Sequence, residues 1–155
     1  MPSRIVNGIE ELKTLIGREV GVSSWFTIDQ KRIAQFAETT EDRQWIHLDA
    51  ARAATDSPYR STIAHGFLTL SMLSEFSREA VDIRGDFKMR INYGLNKVRF
   101  PAPVPAGSRL RGHFTLASVE DFDGGAQVVW TVIVEVEGGV KPALAAEWVT
   151  RLYPA

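Results

Sequence analysis

Apolar positions along the 155-residue chain follow two different periods. From Ile9 to about Ala80 they recur mostly at helical spacings, and from Met89 onward they alternate. Ile9, Leu12 and Ile16 share one helical face, and Gly17 can end that first helix. A strand through Val20 to Thr27 follows, on Val20, Val22, Trp25 and Phe26. Asp29 reads as the N-cap of a second helix, with Ile28 and Ile33 as a hydrophobic staple. Ile33, Phe36 and Ala37 form its narrow core face, which runs out near Thr39-Thr40. The period fails from Glu41 to Asp49, so a structured loop is predicted there, anchored by Trp45 and Ile46. A short helical piece at Ala50–Ala54 and a turn at Asp56-Ser57-Pro58-Tyr59 come next. His65-Gly66 opens the longest helix, which continues to about Ala80. Phe67, Leu68, Leu70, Met72, Leu73 and Phe76 cover most of its circumference, so it belongs inside the protein.

The second half reads as strands. Met89–Phe100 is closed by Pro101-Ala102-Pro103-Val104-Pro105, an edge or connecting stretch. In Arg109–Val119, Leu110, Gly112, Phe114 and Leu116 point one way. Asp123-Gly124-Gly125 is a hairpin signal, and Ala126–Val136 puts Val128, Trp130, Val132, Val134 and Val136 on one face. Glu137-Gly138-Gly139 makes the next turn, and Ala143–Tyr153 turns Leu144, Ala146, Trp148 and Leu152 inward. Helices first, one of them buried, then a run of antiparallel strands: this is an α+β pattern in which a sheet wraps a helix. With no repeat, linker or low-complexity tract, residues 1–155 read as one domain.

Composition narrows the function classes. A net charge of −1 without a basic cluster argues against nucleic acid and against an anionic membrane surface. The most apolar segment, Ile63–Leu73, is interrupted by His65, Gly66, Thr69 and Ser71, far from the roughly 18 apolar residues of a spanning helix. The start, Met1–Gly8, lacks the apolar run of a signal peptide. A cysteine count of 0 excludes thiolate ligands, thiol nucleophiles and disulfides, and fits a cytoplasmic protein.

Two stretches carry candidate chemistry. Asp42 and His47 are five residues apart, and in a loop a carboxylate and an imidazole so spaced can hold and polarise one water. Burial by Trp45 would push their pKa values apart, as such chemistry needs. The same spacing equally describes a surface acid beside a half-buried histidine. At the head of the apolar helix, free N–H groups favour developing negative charge, and Gly66 lets a ligand approach the backbone. That suits a thioester carbonyl becoming an enolate; otherwise Gly66 serves close packing and His65 is a cap. Glu75 and Ser74 lie on this helix, Ser74 free to bond a ligand or its own backbone. His47, Asp49 and His65 have no recognised metal-ligand spacing.

The run from Phe36 through Asp49, then Ile63-Ala64-His65-Gly66, resembles the MaoC-like family of (R)-specific enoyl-CoA hydratases (hydratase 2). It is most similar to the branch that includes nodulation protein N, as is Ile91-Asn92-Tyr93-Gly94-Leu95-Asn96-Lys97-Val98-Arg99-Phe100-Pro101-Ala102-Pro103-Val104. The resemblance implies a hotdog fold, a long central helix wrapped by a curved antiparallel sheet, in a homodimer. It implies reversible syn hydration of trans-2-enoyl thioesters to (3R)-3-hydroxyacyl thioesters. Asp42 and His47 fall at the catalytic positions. Gln44, His65, Gly66 and Ser74 fall at substrate-binding ones, with the Gly66 N–H on the thioester carbonyl. The substrate is an acyl-CoA or acyl-carrier-protein thioester; coenzyme A enters as part of it, and neither metal nor redox cofactor is required. The commoner signature reads Gly-Asp-x-Asn-Pro-Leu/Ile-His, and here Glu41, Gln44 and Trp45 replace its glycine, asparagine and proline. Gln44 keeps an amide to steady the pair, Trp45 enlarges a wall, and Glu41 adds a carboxylate beside Asp42. Two rivals share the fold: a thioesterase using Glu75, and a non-catalytic acyl-binding subunit.

Overall fold

A computed structural model describes residues 3–155; Met1 and Pro2, at the head of the N-terminal stretch, lie outside the described residues. The chain runs β1 (Arg4–Asn7), α1 (Gly8–Lys13), β2 (Glu19–Val22), β3 (Phe26–Ile28), α2 (Gln30–Thr40), α3 (Trp45–Leu48) and α4 (Ala50–Asp56). Then come α5 (Gly66–Ser71), α6 (Leu73–Ala80), β4 (Val81–Arg84), β5 (Phe87–Arg99), β6 (Ser108–Phe122), β7 (Gly125–Val136) and β8 (Leu144–Pro154). The large sheet has the order β2-β6-β7-β8-β5, with β3 also on β6, and its pairs are antiparallel. The alternation read from the sequence is the burial pattern observed. Leu110, Phe114 and Leu116 of β6, Val128, Val132 and Val134 of β7, and Leu144 of β8 are fully buried on the face that meets the helix.

Helix α6 lies against that face through Leu73, Phe76 and Ala80. It approaches β6 closely enough that a Cβ on Gly112 would stand 2.9 Å from the Cβ of Phe76. Glycine is required there by the contact itself, because real Cβ atoms do not come so near one another. Asp29 caps α2 by accepting from the Arg32 N–H at 2.8 Å, and Ile28 and Ile33 are both fully buried, as the staple requires.

Several expectations are corrected. The strand expected at Val20–Thr27 is two pieces, because Ser23 turns inward: its N–H donates to the Gly112 carbonyl at 2.9 Å and its hydroxyl accepts the Gly112 N–H at 2.9 Å. The first helix buries Leu12 and Leu15 and leaves Ile16 exposed, its last turn tightening before Gly17. The long helix is interrupted at Met72, although hydrogen bonds run on through it from Leu68 and to Phe76. It is not apolar all round in use, since Phe67 is exposed. Strands β1 and β4 were not anticipated; they pair in parallel, Val6 beside Ile83, and close one end of the core.

The Phe76–Gly112 contact predicts that Gly112→Ala lowers stability by about 1–3 kcal/mol through overpacking. Urea unfolding should show a lower midpoint with an unchanged slope.

Candidate active site

The site is assembled from the end of α2, the single turn of α3 and the head of α5. Helix α2 stops where Glu41 takes a left-handed backbone with φ 64°. The commoner signature has glycine at this position, and a side chain there carries a cost that glycine escapes. The chain then swings into Asp42, whose Oδ1 accepts weakly from the Gln44 N–H at 3.5 Å. Gln44 starts α3 through its carbonyl, which accepts the His47 N–H at 3.0 Å. Gln30, the first residue of α2, ties this region together: its Nε2 donates to the His47 carbonyl at 2.8 Å and its Oε1 accepts from the Thr62 hydroxyl.

The two imidazoles are held by carbonyls. His47 Nδ1 lies 2.7 Å from the Ile63 carbonyl oxygen, and His65 Nε2 lies 2.9 Å from the Asp42 carbonyl oxygen. A carbonyl only accepts, so His47 carries its proton on Nδ1 and His65 on Nε2. The Nε2 of His47 is therefore left with a lone pair. The rings stack at 3.7 Å between centroids and 22° between planes. Both residues are buried, whereas Asp42 is exposed to solvent. A carboxylate oxygen of Asp42 and one nitrogen of each imidazole lie within 4.8 Å of one another. Burial pushes the His47 pKa below its usual 6.5; the Ile63 carbonyl opposes the shift, His65 adds to it, and Asp42 opposes it.

This cluster is poorly arranged for a metal ion. Stacked rings send their lone pairs side by side instead of toward a common point, and one His65 nitrogen is already spent on the Asp42 carbonyl. Asp49, weighed as a ligand with His47 and His65, instead caps α4 by accepting the Arg52 N–H at 3.0 Å.

Asp42, His47 and Gly66 face a cavity of about 460 Å³ whose apolar walls are Phe36, Phe67 and Phe100. His65 precedes Gly66 at the head of α5 without capping it by its side chain, and a helix's first amides have no intrahelical partner. The arrangement thus offers an imidazole lone pair, a carboxylate and helix-head N–H groups around one apolar hollow.

The remaining candidates divide between this cavity and other places. His65 also lines the cavity; its ring is buried, with its Nε2–H on the Asp42 carbonyl and its Nδ1 without a partner among the described residues. Gln44 is exposed and its amide makes no side-chain hydrogen bond among the described residues; Gln30 does the steadying expected of it. Nothing in the local sequence marks Gln30, which acts across 17 residues. Ser74 lies two turns farther along the helix, in a groove beside Asn92 of β5, and not with Asp42 and His47. Glu75 is clamped by Arg78 through two bonds of 2.6 and 2.7 Å, and that guanidinium holds its carboxyl below the usual range. Trp45 is half-buried, with Arg52 4.1 Å above its ring, and Glu41 is exposed.

Nitrogen NMR should find His47 as the Nδ1–H tautomer and His65 as the Nε2–H tautomer at pH 7, with His47 titrating below 6.5. Because the unfolded chain binds a proton near 6.5 and folded His47 only at lower pH, stability should fall as pH drops through 6.5 and level off below the folded pKa. Denaturant titrations at several pH values check this, and His47→Gln should remove that part of the slope.

Residues 11–138 match the family model described as the MaoC like domain. The chain is 47% identical to 3-hydroxyacyl-thioester dehydratase Z of Mycobacterium tuberculosis (strain H37Rv), over 96% of this chain and 97% of that one. It is 45% identical to nodulation protein N of Rhizobium leguminosarum bv. viciae, over 92% and 89%. Its fold matches an (R)-hydratase from A. caviae involved in PHA biosynthesis with a TM-score of 0.70 and 24% identity, over 87% and 94% of the two chains. A monoamine oxidase regulatory protein from Archaeoglobus shares it with a TM-score of 0.77 and 22% identity, over 100% and 99%. The α+β architecture is thus the hotdog fold, and the chain belongs to the MaoC-like dehydratase family.

Proposed function

We propose that this protein is an (R)-specific enoyl-thioester hydratase/dehydratase in which Asp42 and His47 share one water. The observation that carries the assignment is the pairing of the His47 Nε2 lone pair with the Asp42 carboxylate on one side of the cavity beside Gly66. A water donating one O–H to each acceptor is held with its oxygen toward C3 of the enoyl chain. As the C3–O bond forms, the pair takes one proton from the water, and the C2=C3 electrons move onto the thioester carbonyl oxygen. The Gly66 N–H stabilises that enolate. The proton then passes from the same pair to C2, so hydroxyl and hydrogen arrive on one face. Dehydration is the reverse.

The His47 pKa, below 6.5 because of burial, supports a base that stays neutral at physiological pH. The substrate is an acyl-CoA or acyl-carrier-protein thioester, and the chemistry needs neither metal nor redox cofactor. Residues 1–155 act as one MaoC-like hotdog domain, in the cytoplasm. No helix among the described residues is long and apolar enough to cross a membrane. A thioesterase reading has less support, since Glu75 is tied to Arg78 and lies away from the cavity.

We assign a homodimer through β5. This edge strand of 13 residues pairs, among the described residues, only with β8 and exposes Met89, Ile91 and Tyr93. An apolar edge of this length invites a second strand, and a second copy of the same edge fits it.

Hydration of crotonyl-CoA is followed by loss of enone absorbance. Asp42→Asn and His47→Gln should each reduce kcat by about 10²–10⁴ with the fold intact, the loss typical of a general acid–base group. The wild-type kcat/KM should hold down to a pH below 6.5. Release of free thiol instead of hydration would turn the assignment to a thioesterase. Light scattering should give a dimer for the wild type and a monomer for Ile91→Lys.

A further inference from the structure

The His47 carbonyl lies in the single turn of α3, where carbonyls have no amide of their own helix ahead of them. His47 is buried, so this oxygen needs a donor from elsewhere, and the Nε2 of Gln30 supplies it at 2.8 Å. The two ends of that amide are not interchangeable. A carbonyl only accepts, so the nitrogen must face His47, and the Oε1 faces the Thr62 hydroxyl, which donates.

These bonds close a circuit. From the His47 carbonyl it runs through the Gln30 amide to the Thr62 hydroxyl, along the chain to the Ile63 carbonyl, and back to His47 at Nδ1. Residues 62–64 are pinned on their other side to a strap, residues 101–106, that follows Phe100. The Ala106 N–H donates to the Thr62 carbonyl at 2.9 Å and the Ala64 N–H to the Val104 carbonyl at 2.8 Å. Gln30 is placed in turn by the Asp29 cap and by the fully buried Ile28 and Ile33. Helix α2 therefore meets the pair at both ends: Gln30 at its start holds His47, and Glu41 past its end leads into Asp42. Gln30 does not line the cavity.

We propose that Gln30 is a positioning residue for the reaction: its amide, oriented by Thr62, sets where the His47 imidazole stands relative to the Asp42 carboxylate. The chemistry rests on the enoyl-thioester reading; the positioning is also read without turnover.

Hydration of crotonyl-CoA is measured across pH for the wild type, Gln30→Ala and Gln30→Glu, with melting followed at each pH and every assay run below it. In Gln30→Ala, kcat should fall by about tenfold to a hundredfold, the scale of a small misplacement, with KM nearly unchanged. Nitrogen NMR of the same variant should show His47 losing its single Nδ1–H tautomer. Gln30→Glu separates positioning from folding. A protonated glutamic acid donates to the His47 carbonyl and accepts from Thr62 as the amide does, whereas the carboxylate only accepts. The kcat of Gln30→Glu relative to wild type at the same pH should therefore rise toward unity as pH falls through the carboxyl titration. It should drop above that range, and the ratio for Gln30→Ala should be flat.

A wild-type kcat in Gln30→Ala would overturn the proposal, and so would a raised KM at unchanged kcat. A Gln30→Glu ratio that does not change with pH would overturn it too, and this arm carries the test alone should Gln30→Ala not fold. If the wild type hydrates no enoyl thioester, the hydratase reading falls and the tautomer decides the positioning. An unchanged Nδ1–H ring in Gln30→Ala then rejects it, and a mixed one leaves it standing.

Discussion

The hydrogen bond from His47 Nδ1 to the Ile63 carbonyl, at 2.7 Å, is the constraint on which the site depends. It joins the loop after α2 to the segment leading into α5, and it selects the tautomer that leaves Nε2 free to accept. The backbone repeats the link, since the Ile63 N–H donates to the Ile46 carbonyl at 3.0 Å. Thr62, the preceding residue, reaches Gln30 and through it the His47 carbonyl. Three successive levels of bonding therefore register one short segment against one helical turn. A ring oriented by a single bond rotates; a ring whose backbone is also fixed on both sides does not.

The same segment connects the site to the sheet. Ile63 bridges to Pro105, and Ala64 bonds to Val104, so the residues that position His47 also position the strap bearing Phe100. The strap is in turn anchored at Pro142, just before β8. The core face where Phe76 rests on Gly112 lies beneath the site, which is tied to it by these bonds and by the buried Ile33 and Ala37 of α2.

Much of this was legible in the sequence, and what was missed has physical causes. The strand alternation of β6, β7 and β8, the Asp29 cap and the glycine turns are local patterns, and local patterns survive folding. The D-x4-H spacing with His65-Gly66 pointed to the candidate site through the family resemblance, and the structure brings those residues to one cavity; the spacing alone does not distinguish a paired from an unpaired acid and imidazole. Gln30 was invisible because its partners come from α3 and from Thr62, a tertiary coincidence that no window contains. Strands β1 and β4 have only four residues each and abut helices, so no alternation develops. The interruption at Met72 leaves no mark because hydrogen bonding continues through it. Ser74 was placed by analogy along the helix, and helix geometry carries it two turns away from Gly66, toward β5.

His65 shows how a buried polar group supports a site through the backbone it holds. Its Nε2–H holds the Asp42 backbone, and its ring lies flat on His47. The buried member of the pair is kept as a lone-pair acceptor, while Asp42, on the solvent side, remains open to water. The stacked histidines thus decide which of the two groups, acid or imidazole, is kept from solvent.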